Sequence, residues 1–353
     1  MKLIRALVIA SYIVATVSWL LCLSAYYIDP AHWKLPVVFS FGFLILLLPQ
    51  ILMGLYGVLA RKKWVIIPVV LILLGWPQLT VSWQLGLPSG AKQATDNEIS
   101  VTSFNLKRFH NLPIRNEAEI DRLIKKVHFH KKLKADIVCF QESFGYRKLV
   151  LKHVLKQVDY PYHYSNFYGN TIFSKFPIIK EHYDPLTNKH NGLIYVDIVK
   201  GKDTIRVFDI HLQSLHFGDA QFEAINSPLS NDVHAVRRLM GKVARGSIER
   251  QKQVKMVKQY ITDSPYPVIL CGDLNSPPTS YTYRQFSGLL QDSFVEAGSG
   301  ISTTYAGPIP GLRIDYIFSD RKKFSAQQYW VDYEEGYSDH FPVKTVLKIN
   351  TSD

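Results

Sequence analysis

The sequence predicts two mixed β-sheets packed together with helices outside, preceded by an apolar segment that crosses a membrane. Three observations carry this reading. Composition changes abruptly near residue 90 of 353. Beyond that point, short β-branched runs end in polar residues able to do chemistry. Some of these runs are joined by tight polar turns, which means antiparallel pairing and argues against a purely parallel, doubly wound sheet.

The first 90 residues hold one acid, Asp29, and six basic residues, Lys2, Arg5, Lys34, Arg61, Lys62 and Lys63. Three apolar stretches run from roughly Ala6 to Tyr27, Leu35 to Leu59 and Trp64 to Leu85. Each is close to the roughly 20 residues that a helix needs to cross the hydrocarbon core, so three transmembrane helices are expected. A cleaved signal peptide fits less well, because the first stretch lacks a clear small-residue cleavage site and more apolar sequence follows. Pro68 and Pro77 make the third stretch the least regular, as spanning helices tolerate. Lys2, Arg5 and Arg61 to Lys63 flank the side predicted to be cytoplasmic. The C-terminal domain is then expected to be extracytoplasmic, after a polar linker from Pro88 to Glu98. The expected division is a membrane anchor over 1–90 and a catalytic domain over 91–353.

The net charge is +12, from 41 Lys and Arg against 29 Asp and Glu. That balance suits nucleic acid or a phospholipid surface, and equally a solvated basic face. Val236 to Lys258 concentrates eight basic residues against one acid, Glu249. Cys22, Cys139 and Cys271 all lie in apolar runs and give no disulfide framework, so buried free thiols are expected.

The strand-like runs are Ile99–Phe104 ending at Asn105, Ile137–Phe140 ending at Gln141 and Glu142, Thr204–Ile210 ending at His211, and Val268–Cys271 ending at Asp273 and Asn275. Strands of one sheet can deliver such ends to a common edge. Helical spacing is predicted over Asn116 to Lys134 and over Ile248 to Ile261. Gly192–Val199 and Thr204–Ile210 read as a hairpin. Phe217 to Gly246 reads as a polar, strand-poor insertion.

Several of these residues suit phosphate chemistry. Glu142 at a strand end can hold a hard divalent cation. Asp273 and Asn275 alternate, so an acid and an amide share one face. Asp315 lies in an apolar run, where a carboxylate must be paired. A histidine from Ser338-Asp339-His340 is an apt partner, because the carboxylate would fix its tautomer and favour its charged form. His211 is a second candidate. Taken alone, Glu142 is more often a solvated surface acid and Asn105 more often a turn residue, and Gly272–Asn275 reads equally as an ordinary glycine turn.

Together the segments SFN (Ser103–Asn105), QES (Gln141–Ser143), HLQS (His211–Ser214), GDLN (Gly272–Asn275), RIDYIF (Arg313–Phe318) and SDHFPV (Ser338–Val343) resemble the endonuclease/exonuclease/phosphatase superfamily, in its motif order, across nearly all of 99–349. NTIFSKFPI (Asn170–Ile178) is similar to the strand before that family's central hairpin. The resemblance implies a four-layer α/β sandwich of two mixed β-sheets flanked by helices. It also implies a hydrolase acting on phosphate ester bonds with Mg²⁺ or Mn²⁺. By motif, Glu142 resembles the metal ligand, with Asn105 near the metal and phosphate. Asp273 resembles the residue that aligns or deprotonates water, and Asn275 its phosphate-orienting neighbour. His340 resembles the transition-state stabiliser and Asp315 its orienting acid. Asp339 resembles an additional acid on the metal side, and His211 the histidine of the nuclease, sphingomyelinase and phosphatase branches. The implied substrate is a phosphodiester or phosphomonoester, in nucleic acid or a lipid phosphate. Nothing predicts a protein partner. The rival from a different class is a catalytically inactive, membrane-anchored binding module on the same fold.

Overall fold

The computed structural model describes residues 2–87, 94–107, 135–143, 160–166, 169–187, 192–214, 233–307, 309–333 and 338–350. The chain divides into two compact units. One comprises the described parts of Met1–Trp83, Leu215–Gln251 and Ser276–Arg284, and the other those of Gln84–Ser214, Lys252–Asn275 and Gln285–Asp353. The predicted helix over Asn116 to Lys134 lies outside the described residues.

The second unit holds two six-stranded mixed sheets. In chain order their strands are β1 (Glu98–Asn105), β2 (Ile137–Gln141), β3 (Tyr162–Ser165), β4 (Thr171–Ser174), β5 (Ile178–Asp184), β6 (Gly192–Lys200), β7 (Asp203–His211), β8 (Val268–Asp273), β9 (Gln291–Asp292), β10 (Asp315–Ser319), β11 (Phe324–Val331) and β12 (Val343–Ile349). The first sheet has the order β11-β12-β1-β2-β4-β3 and the second β9-β10-β8-β7-β6-β5. Each contains one parallel pair, β1 with β2 and β7 with β8, among antiparallel neighbours. Parallel strands end at the same edge, which is what gathers the strand-end polar residues. The predicted hairpin is β6–β7, closed by Lys200 opposite Asp203.

Alternate residues of each sheet enter a shared apolar core. Ile99, Val101, Ile137, Cys139 and Ile172 come from one sheet, and Ile194, Val196, Val207, Ile269, Cys271 and Ile317 from the other. This period of two is the pattern of β-branched residues in the sequence. All three cysteines are free and buried.

The first unit contains α1 (Lys2–Ser24), α2 (Leu35–Ser40), α3 (Phe43–Leu59), α4 (Ile66–Leu74) and α5 (Trp76–Ser82). Here the expectation of three spanning helices needs correction. Among the described residues only α1 is long and apolar enough to cross a membrane, with one more crossing if the bent pair ending in α4 and α5 counts as one. The second stretch breaks at Phe41-Gly42 into helices of 6 and 17 residues. The third bends by 54° between α4 and α5. Pro77, in the first turn of α5, has no N–H to continue the helical ladder. Gly75 at the bend packs so closely on Trp19 that a β-carbon would come within 2.6 Å of its ring.

The predicted helix over Ile248 to Ile261 is the C-terminal half of α6 (Val233–Thr262). Its N-terminal half takes in residues 233–246 of the predicted insertion, whose remaining residues, 217–232, lie outside the described residues. Two further helices are α7 (Tyr281–Ser287) and α8 (Ser293–Ala297).

One buried ion pair ties the second sheet to α8. Arg313 Nη1 donates to Asp292 Oδ2 at 2.8 Å, both side chains 2% exposed. The guanidinium lies over the rings of Phe294 and Tyr316. The other oxygen of Asp292 accepts from Phe294 N and caps α8. Asp292→Ala would leave a cation buried without its carboxylate, and should cost about 3–5 kcal/mol. Urea unfolding of the intact chain in detergent measures this. Replacing both partners with apolar residues, Asp292→Leu with Arg313→Met, should recover much of the loss.

Candidate active site

Register assembles the site. In the first sheet Asn105 pairs with Gln141, and Glu142 follows directly. In the second, Asp273 ends β8 with His211 opposite it on one side and Asp315 on the other. His340 forms an isolated bridge with Tyr305 just before β12. Gly272 has φ +148, and a β-carbon there would lie 2.0 Å from the carbonyl oxygen of Ile210. The motif therefore needs glycine for β8 to run beside β7 and present Asp273. Glu142 and Asn275 also take left-handed conformations, with φ 51 and 48. Such backbone is sparsely populated and clusters at functional sites.

Asp273 is the centre, 1% exposed. Its Oδ2 accepts from Asn105 Nδ2 at 3.0 Å and Asn275 Nδ2 at 3.1 Å, and its Oδ1 from Asn275 N at 2.7 Å. Two imidazoles face the same Oδ2, with His211 Nε2 at 3.8 Å and His340 Nε2 at 3.9 Å. His211 Nε2 is also 3.5 Å from Glu142 Oε1, which Asn105 Nδ2 approaches at 3.4 Å. His340 Nδ1 lies 2.9 and 3.1 Å from the two oxygens of Asp315. Asp339 pairs with Lys107 at 2.6 Å and has Oδ1 3.9 Å from His340 Nε2. Asn105, Glu142, His211, Asp273, Asn275, Asp315, Asp339 and His340, singled out from the sequence, thus form one cluster. Asp315 is the first residue of β10 rather than an interior one.

Some members had no clear signal in the sequence. Lys107 holds Asp339. Ser338 Oγ donates to Asn105 O at 2.8 Å and accepts from His340 N, tying the last motif to the first. Beneath the site, fully buried Asp209 accepts from Gln141 Nε2 at 2.6 Å and Asn170 Nδ2 at 3.2 Å. It therefore joins the two sheets. Strand alternation did contain a clue, since Asp209 and His211 are two apart on β7.

Burial pushes the carboxyl of Asp273 upward, and nearby Asp315 pushes it further. His340 and the hydrogen bonds from Asn275 and Asn105 only partly offset this. Burial alone would strip the proton from His340, but Asp315, by charge and hydrogen bond, with Asp273 and Asp339, overrides it and raises its pKa to about 10. Burial lifts Asp209 to about 8 despite its amide donors. A carboxyl moved toward neutrality beside a cationic imidazole is suited to proton transfer at a charged centre.

Asp273, Asp315 and His340 offer possible metal-ligand atoms within 4.8 Å of one another. That trio makes a poor cage for a hard cation, since His340 Nδ1 is turned to Asp315, which favours the charged ring over a metal-binding one. The oxygen donors of Glu142, Asn105 and Asp339 fit Mg²⁺ or Mn²⁺ better. Glu142 is partly open to solvent. Asp339 Oδ1 is buried without a hydrogen-bond partner among the described residues. Asn105 Oδ1 accepts from Lys107 N, leaving its second lone pair for an ion.

The pairing of His340 has a sign that can be measured. A raised folded pKa means that the charged ring stabilises the fold fully below the ordinary histidine value of about 6.5, and that this is lost as pH rises toward 10. NMR titration of the metal-free protein should find His340 still protonated above neutrality. Asp315→Asn should bring its midpoint back toward the ordinary value.

Residues 102–340 match the family model described as "Endonuclease/Exonuclease/phosphatase family". Residues 4–82 match a separate model described as a domain of unknown function. No curated protein sequence matches the chain. Among solved structures, D. rerio TDP2 complexed with single strand DNA product aligns with TM-score 0.52 and 17% identity, covering 72% of this chain and 99% of that one. Humanized D. rerio TDP2 aligns with TM-score 0.51 and 16% identity, covering 72% and 100%. An endonuclease/exonuclease/phosphatase from Bacteroides vulgatus aligns with TM-score 0.50 and 14% identity, covering 72% and 99%. At these identities the likeness is one of fold. The family match spans well over half of the residues, and the chain belongs to the endonuclease/exonuclease/phosphatase family.

Proposed function

We propose that the protein is a membrane-anchored, metal-dependent phosphoesterase that cleaves a phosphodiester or phosphomonoester by in-line attack of water. The convergence on Asp273 of two amides and two imidazoles, beside Glu142, carries this reading. Asp273 is the acceptor for the proton of the attacking water. Asn105 and Asn275 hold its carboxylate in place, and Asn275 can also orient a phosphate oxygen. Cationic His340 meets charge that builds on the phosphoryl oxygens, and Asp315 keeps that ring protonated and turned. His211 provides a second contact for the phosphate. Glu142 and Asn105 would hold Mg²⁺ or Mn²⁺, with Asp339 on the same side. When bound there, the ion supplies Lewis-acid neutralisation of charge on the phosphate.

Membrane attachment rests on α1. Its 23 residues span roughly 35 Å of helix, enough for the hydrocarbon core. Its side chains remain open, with Leu3 73%, Leu7 59% and Val14 66% exposed. With Lys2 and Arg5 on the cytoplasmic side, one crossing by α1 puts everything after Ser24 outside the cytoplasm. Both nucleic acid and lipid phosphate suit the basic balance. The relative crystallised with a single strand DNA product supports the first. The membrane anchor supports the second.

Turnover of p-nitrophenyl and bis-p-nitrophenyl phosphate by the full chain in detergent tests the chemistry. Asp273→Asn and His340→Ala should each lower the rate by about 10²–10⁴. Asp315→Asn combined with His340→Ala should cost little more than the worse single change, as expected of groups acting as a unit. Glu142→Ala should weaken Mn²⁺ binding measured by electron paramagnetic resonance. Full wild-type turnover in chelator would overturn the metal. An absence of turnover on every ester with Mg²⁺ or Mn²⁺ would favour the inactive binding module. For topology, a C-terminal alkaline phosphatase fusion should be active, and a cytoplasm-dependent fluorescent fusion should stay dark.

A further inference from the structure

The segment that follows the catalytic motif packs within the apolar helical unit. Ser276 is bonded directly to Asn275, and Ser276–Arg284 belongs to the same compact unit as α1 and α2. Thr279, 1% exposed, donates through Oγ1 to Ser40 O at the end of α2, at 2.8 Å. Pro277 and Pro278 stiffen the chain between Asn275 and that hydrogen bond. Five residues further on, the guanidinium of Arg284 lies 4.8 Å from the ring of Tyr27 and 5.7 Å from that of Tyr26.

Tyr26 and Tyr27 follow the C-terminal end of α1, opposite Lys2 and Arg5. Tyr27 is 47% exposed, and Trp33, a few residues on, 46%. Tyrosine and tryptophan at the ends of an apolar helix mark the headgroup level of a bilayer. An arginine over such rings brings a cation to the depth where lipid phosphates lie. The side of α1 below them is apolar, with Ile13 57% and Val17 52% exposed. The lipid interface is therefore the occupant that this rim fits, with hydrocarbon beside α1 and phosphate beside Arg284.

We infer that the substrate is a phosphate ester carried by a membrane lipid, met at the bilayer surface, with the rim of Tyr26, Tyr27 and Arg284 bedded among the headgroups. This rests on the phosphoesterase and membrane readings above and narrows them to one substrate class. Sequence supplies the connection, because the chain that leaves Asn275 is the chain that carries Arg284. Confining enzyme and ester to one surface raises their effective concentration, so a bilayer-borne ester should be favoured over the same headgroup in water.

The test uses the full chain reconstituted with Mg²⁺ into phosphatidylcholine vesicles doped with long-chain phosphatidic acid or phosphatidylglycerol. Short-chain soluble forms of the same two lipids and single-stranded DNA are the comparison substrates. For at least one headgroup, kcat/KM on the vesicle form should exceed that on its soluble form and on DNA by about tenfold. The combined Tyr27→Ala and Arg284→Ala change should lower the vesicle-to-soluble ratio by about fivefold, with an unaltered circular dichroism spectrum checking the fold. DNA or soluble esters cleaved as fast as vesicle lipid by the wild type would overturn the lipid substrate and leave the phosphoesterase standing. Turnover in solution by protein that does not float with vesicles would overturn the membrane reading. Protein that floats with vesicles yet hydrolyses no ester would overturn the phosphoesterase itself.

Discussion

A carboxylate withdrawn from water is stable only where donors and cations surround it, and Asp273 is in that position. Three hydrogen bonds from Asn105 and Asn275 hold it, and two imidazoles face it. Those groups come from β1, β7, the turn after β8 and the segment before β12. Both sheets must therefore close in register before the charge is satisfied. The same packing shapes the electrostatics on which the proposed chemistry rests: Asp315 pushes the pKa of Asp273 and of His340 upward, and the two groups lie within 4 Å of each other.

The floor of the site is built by similar means. Asp209 sits between the sheets and takes hydrogen bonds from Gln141 and Asn170. Gln141 precedes Glu142, and Asp209 is two residues from His211. One buried acid thus relates the proposed metal ligand on one sheet to a histidine on the other. Loss of an amide donor here would leave a buried acceptor short of partners, which costs more than an average hydrogen bond.

The helical unit obeys other rules. Among the described residues, polar contacts between its apolar helices include Tyr12 to Gln50, Gln78 to the carbonyl of Leu23, and Trp19 to that of Leu71. Its large apolar side chains point outward over much of α1, α3 and α4. Exposed apolar faces of this kind are the observation that supports the proposed membrane attachment.

The sequence alone determined the two mixed sheets, because alternation and tight turns are local signals. It also singled out the eight polar residues that the fold brings into one cluster, some as strand-end residues and others, such as Asp339, through the family's motifs. It misjudged the apolar helices. Hydropathy reports how greasy a stretch is, whereas the helices break at Phe41-Gly42 and at Gly75; Pro77 marked the third stretch as irregular, but the close packing of Gly75 on Trp19 is visible only in the structure. Only the tertiary structure could decide which polar groups touch. Lys107 on Asp339, Ser338 on Asn105 and Asp209 beneath them join positions 68 to 233 residues apart in the chain. Neither periodicity nor propensity extends over such separations. Partners that remote are set by strand order and register, which belong to the fold as a whole.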